Sequence, residues 1–109
     1  MAQFDVHRNV GQLKASIPFI VLVQSSLFDS YRRRLVVPLI RKSATSAQSA
    51  IPSSRLNPEF KIDGIDVVLH PLEMTSIPVD KLGDFVCSLS QHGLTIADAL
   101  DEVLTRSWG

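Results

Sequence analysis

The segment Ile17-Pro18-Phe19-Ile20-Val21-Leu22-Val23 constrains the fold of this chain more than any other. From Ile17 to Gln24 the run of β-branched and aromatic side chains is nearly continuous, which is the composition of a buried strand. The stretch is also far shorter than the roughly 20 apolar residues that span a bilayer. It must therefore be covered by the protein's own layers. A second apolar run, Arg34-Leu35-Val36-Val37-Pro38-Leu39-Ile40, follows a polar break from Ser25 to Arg33. It also predicts a strand, and Pro38, which has no N–H to give a ladder, predicts a sheet edge or a bulge.

The remaining elements are shorter. Phe4 and Val6 alternate with Gln3, Asp5 and His7, predicting a strand near the N-terminus, and Asn9 to Ser16 predicts a loop around Gly11. Ser43 to Ser54 is rich in Ser and Ala, contains Pro52, and predicts an irregular connection. Phe60 to Ile62 and Ile65 to Leu69 flank Asp63-Gly64, a strong hairpin signal because Gly tolerates positive φ. Glu73 to Val79 predicts another strand ended by Pro78. Val79 to Leu89 has room for a short helical turn, and Phe85 to Leu89 reads as core.

Near the end, Gly93 breaks the chain and Thr95 can cap a helix, with Asp98 placed as in a capping box. Ile96, Ala99, Leu100, Val103, Leu104 and Trp108 then recur at helical spacing, with Asp98, Asp101 and Glu102 early and Arg106 late. The expected class is α+β: one domain over residues 1–109, mostly antiparallel sheet, closed by a C-terminal amphipathic helix.

Composition narrows the functions. Apolar residues make up 45% of the chain and mean hydropathy is +0.16, so the fold has a dense core or a face that an oligomer covers. Lys plus Arg and Asp plus Glu both number 11, and this zero balance argues against direct nucleic-acid binding. The N-terminus lacks the basic-then-apolar pattern of a signal peptide, and the lone Cys87 cannot form an internal disulfide, so the cytoplasm is expected. His7, His70 and His92 stand at no metal-ligand spacing, and no Gly-rich phosphate loop or Gly-x-Ser-x-Gly occurs. No metal, cofactor or catalytic residue is expected. Asp63 and Asp66 read as hairpin chemistry.

Three features stay open on spacing alone. Arg32-Arg33-Arg34, with Arg41 and Lys42, reads as a solvated loop or an anion contact. Leu27 and Phe28, large apolar residues where a turn is normally polar, either plug one end of the core or face a partner. Trp108, the single tryptophan, either packs back on its domain or presents itself to another protein.

Taken in order, Phe4-x-Val6, Phe19 to Asp29 with its Val23-Gln24-Ser25-Ser26-Leu27-Phe28-Asp29 block, Arg34-Leu35-Val36-Val37-Pro38-Leu39, Met74-Thr75-Ser76-Ile77-Pro78-Val79 and the final Trp108-Gly109 resemble the CcdB toxin family. The likeness is collinear over essentially the whole chain. It implies an SH3-like small antiparallel β-barrel with a C-terminal helix, in a two-fold homodimer. It also implies a non-enzymatic toxin of a type II toxin–antitoxin module, one that binds the GyrA chain of DNA gyrase and traps the enzyme on cleaved DNA. The implied partners are gyrase and a CcdA-like antitoxin that neutralises the toxin. Operator DNA is reached only indirectly, through the antitoxin, and no membrane is involved.

By position, the resemblance carries target contacts onto Ser25, Leu27 and Phe28 and onto Trp108 and Gly109; alignment of the helix face adds Asp101 and Leu104. Two departures from the family pattern touch the target end: the family typically ends Trp-Gly-Ile, and Thr105-Arg106-Ser107 reads as an insertion of nearly one turn before Trp108. Two alternatives stand beside this reading. One is a MazF-like endoribonuclease, and the other a diverged homologue that keeps the antitoxin and no longer poisons gyrase.

Overall fold

The computed structural model describes residues 2–28, 30–45 and 56–106. Seven strands form one antiparallel sheet: β1 (Asp5–Arg8), β2 (Phe19–Leu22), β3 (Arg33–Arg41), β4 (Glu59–Ile62), β5 (Ile65–Leu69), β6 (Thr75–Pro78) and β7 (Phe85–Ser88). The order is β4-β5-β3-β2-β1-β7, with β6 alongside the first half of β3. A short helix α1 (Lys42–Thr45) follows β3, and α2 (Gly93–Asp101) ends in a wider π-type turn, Glu102–Arg106. No helix among the described residues is long and apolar enough to cross a membrane.

The four residues of β2 are all buried, as its composition demands. Phe19 and Val21 enter the main core with Val6, Val37, Leu39, Ile62, Val67, Leu69, Ile96 and Ala99, whereas Ile20 and Leu22 join Val36 in a smaller cluster on the opposite face. Each such side chain contributes about 1.5–3 kcal/mol by leaving water. Both clusters hang on the same strand, so β2 is the spine of the molecule.

The sheet is curled into a half-barrel. On a flat sheet β1 and β5, three strand spacings apart, would be separated by about 14 Å. Yet the Arg8 guanidinium of β1 reaches the Asp63 carboxylate at the β4–β5 turn, 3.1 Å away, and lies 5.7 Å above the Phe19 ring. The two sheet ends also approach, with the Phe60 ring of β4 5.3 Å from that of His92, just past β7.

Pro38 lies at neither an edge nor a bulge. β3 is interior, paired with β2 through Ile20↔Pro38, and on its other side it passes from β6, last paired at Val36, to β5, first paired at Leu39. The Pro38 carbonyl accepts from the His70 N–H (3.2 Å) on that second side. A strand residue's N and C=O face the same edge, so the missing donor falls in the gap between two partners, where no ladder bond is lost.

Other expectations need correction. Residues 43–45, expected in an irregular connection, finish the helical turn α1, and 46–54 lie outside the described residues. Thr95 does not cap α2: the helix starts at Gly93 out of the turn Ser90–His92 and has no side-chain cap. Gly93 is itself helical (φ −57°); it is small because a Cβ there would come within 2.8 Å of the Phe4 ring. In Phe85–Leu89 only Leu89 is buried, and Phe85 is 57% exposed because β7 is a terminal strand with β1 as its one partner.

Candidate functional site

The connection leaving β2 is built from polar side chains around one carbonyl. Val23 keeps one more ladder bond, its N–H to Leu35 O at 3.1 Å. Gln24 then replaces the backbone: its Oε1 accepts from the Leu35 N–H (2.9 Å) while its Nε2 donates to Phe28 O (3.1 Å). Arg34, only 4% exposed, donates from Nη1 to the same oxygen at 2.8 Å, and the Tyr31 N–H adds a third bond at 3.0 Å. Ser25 accepts twice, at its carbonyl from the Phe28 N–H (3.0 Å) and at Oγ from the Leu27 N–H (3.2 Å).

The consequence is an apolar ridge held in water. Leu27 is 83% exposed, Phe28 45% and Tyr31 61%. The Phe28 and Tyr31 rings meet edge to face, 5.3 Å apart at 89°. The reading of Leu27 as a plug for the core end is therefore excluded. Of the other candidates, Asp101 is exposed at the last residue of α2, and Leu104 is 61% exposed in the wider turn. Trp108 and Gly109 lie outside the described residues. The five described candidates thus form two groups, Ser25, Leu27 and Phe28 on the turn, and Asp101 and Leu104 on the helix end.

Two residues of the turn escape a reading by residue type. Gln24 and Arg34 look like loop polarity and part of a basic cluster. The signal was in the pairing: Leu22 faces Val36, and carrying that register two residues further sets Gln24 opposite Arg34. The cluster itself divides. Arg33 binds the Ser76 hydroxyl and carbonyl at 2.6 and 2.7 Å, Arg41 binds Ala15 O at 3.1 Å, and Lys42 pairs with Glu59 at 2.9 Å, a contact that raises the lysine pKa.

A groove of about 520 Å³ opens on the smaller cluster, lined by Leu13, Ile17, Ile20, Val36, Ile40 and Ile77 among others. Among the described residues, its titratable lining residues are His70 and Glu73. The His70 Nδ1 is buried without a hydrogen-bond partner. Among the described residues no group of three or more His, Cys, Asp or Glu is placed to hold a metal. Burial, then the Asp5 and Asp63 carboxylates, push the Cys87 thiol above its ordinary pKa, which favours the uncharged thiol at neutral pH.

The fold is similar to that of the Mycobacterium tuberculosis toxin MazF-mt6, with 14% identity, 90% of this chain and 93% of that one covered, and a TM-score of 0.67. It is similar too to an endoribonuclease in complex with its cognate antitoxin from mycobacterial species, with 13% identity, 100% and 99% of the two chains covered, and a TM-score of 0.71. At such identities the likeness carries the fold alone, a curled antiparallel sheet with a C-terminal helix. No curated protein matches the chain. The family model described as CcdB protein, by contrast, matches residues 3–106, and with nearly the full length accounted for, the chain belongs to the CcdB family.

Proposed function

We propose that this protein is a toxin that poisons DNA gyrase by binding, with no bond made or broken by its own side chains. The observation that carries the reading is the ridge of Leu27 and Phe28, exposed although apolar and anchored on the turn where the family resemblance puts target contacts. Ser25 shapes that turn, and Asp101, Leu104, Trp108 and Gly109 supply the second contact group from the helix end. A two-fold homodimer duplicates both groups and matches the two-fold symmetry of a dimeric target. The apolar groove over Ile20, Val36 and Ile77 supports an assembly that covers more surface than one chain can. A CcdA-like antitoxin is the cognate inhibitor, a reading supported by the antitoxin in one of the similar structures. With zero net charge, the toxin touches operator DNA through the antitoxin, and its place of action is the cytoplasm.

The endoribonuclease reading rests on the two similar folds. It needs a groove whose cations hold RNA phosphates; among the described residues the groove over Ile20 offers none, and in the second groove, beside Gly64 and Asp66, Lys42 is paired with Glu59 and Arg41 is bonded to Ala15 O. Purified protein incubated with gyrase and supercoiled DNA tests the choice. Accumulation of cleaved DNA–gyrase complex is expected, with RNA left intact. RNA cleavage with gyrase unaffected would transfer the protein to the enzyme class, and no effect on either would favour a homologue that keeps only its antitoxin.

A further inference from the structure

We infer that Gln24 and Arg34 are positioning residues for target binding, a clamp that keeps the Leu27–Phe28 ridge out of the core. The inference rests on the binding reading above and adds what holds the ridge ready. An apolar turn beside a core end gains by folding inward, at about 1.5–3 kcal/mol per large side chain. Here it is fixed outward. The Phe28 carbonyl takes bonds from the Tyr31 N–H, Gln24 Nε2 and Arg34 Nη1, more donors than its two lone pairs accommodate singly. Gln24 is the hinge of the device, because its other end takes the Leu35 N–H that a continued β2 would have bonded. Its amide orientation follows from its partners, an N–H on one side and a carbonyl on the other. Arg34 brings a charged donor from the interior of the sheet, and hydrogen bonds from charged groups are the stronger kind. Fixing the turn before the target arrives lowers the entropy lost on binding.

Gln24→Glu tests the clamp with little change of shape. The carboxylate still accepts from the Leu35 N–H, but it turns an acceptor towards the Phe28 carbonyl. Tyr31 is the single tyrosine, and its edge-to-face contact with Phe28 gives its ring a displaced NMR resonance that reports on the turn without any partner.

In the full-length variant at neutral pH, the Tyr31 resonance should move towards its free position and affinity for purified GyrA should fall about tenfold or more. A general loss of fold would instead collapse the dispersed amide resonances of the whole sheet. Gln24→Met, which removes both bonds without adding charge, should show the same losses, and it stands in if the glutamate variant does not fold.

An unmoved Tyr31 resonance in both variants would overturn the clamp, whatever gyrase does. A moved resonance with unchanged gyrase affinity would overturn the positioning role. Failure of the wild type to bind gyrase would remove the target and the positioning role with it, while the resonance alone still decides whether the clamp exists.

Discussion

Two antiparallel connections in this protein solve the same problem by different chemistry. The β4–β5 hairpin closes through Asp63 and Gly64, both in the left-handed region (φ 53° and 78°), with Ile62 paired directly to Ile65. Everything it needs is local: a residue without a Cβ, and an aspartate that tolerates positive φ. The β2–β3 connection is longer and contains no glycine between Val23 and Arg33. It is held by side chains that reach across the register, and it carries the apolar residues that the hairpin lacks. A turn whose only duty is reversal needs local conformation alone. A turn that displays greasy side chains needs an anchor in the sheet.

The contrast predicts that function and stability separate between the two. Replacing Leu27 and Phe28 together by Ala should cost about 2–4 kcal/mol of target binding, as loss of an interface hot spot does, and leave unfolding in urea nearly unchanged. Calorimetric titration against GyrA measures the first, and a large stability loss would show that the ridge belongs to the core after all. Gly64→Ala should do the reverse. Its Cβ would meet no atom within 4 Å, so the penalty is conformational alone, about 1–2 kcal/mol of stability with binding intact. An unfolding midpoint equal to wild type would mean that the hairpin can adopt another turn.

The same contrast explains what could be read from the chain. β2, the Asp63-Gly64 hairpin and the α2 stripe at Ile96 and Ala99 follow from composition, turn chemistry and spacing, which are local properties. Pro38 was misplaced because its tolerance depends on two strands of distant sequence meeting beside it. The start of α2 was misplaced because the Phe4 ring, almost ninety residues away, decides what fits at Gly93. Leu27 and Phe28 stood out by type, but their exposure depends on Gln24 and Arg34, whose pairing exists only once β2 and β3 are in register. The proposed partners come from resemblance, since no short motif encodes them.

Within the ridge, the aromatic pair tests how much of the rigidity is packing. Tyr31→Leu removes the edge-to-face contact with Phe28 but keeps the backbone N–H on the shared carbonyl. It should weaken target binding by about 0.5–1.5 kcal/mol, the usual worth of such a pair, with little change in stability. A loss as large as that of the double Ala variant would make Tyr31 a direct contact and shift the centre of the site towards it.

The smallest effect belongs to the ion pair at the hairpin's turn. Arg8 and Asp63 meet at 3.1 Å across the curled sheet, but their side chains are 49% and 57% exposed. A pair so open to water contributes about 0–1 kcal/mol and weakens further with salt. Asp63→Asn isolates that contribution, because asparagine accepts the same left-handed backbone and leaves only the charge to be missed. Stability should fall by less than about 1 kcal/mol and the difference should vanish in concentrated salt. A salt-insensitive loss above about 2 kcal/mol would mean that the tie closes the half-barrel as firmly as the buried Arg34 holds the turn, and the division between a locally determined connection and an anchored one would no longer stand.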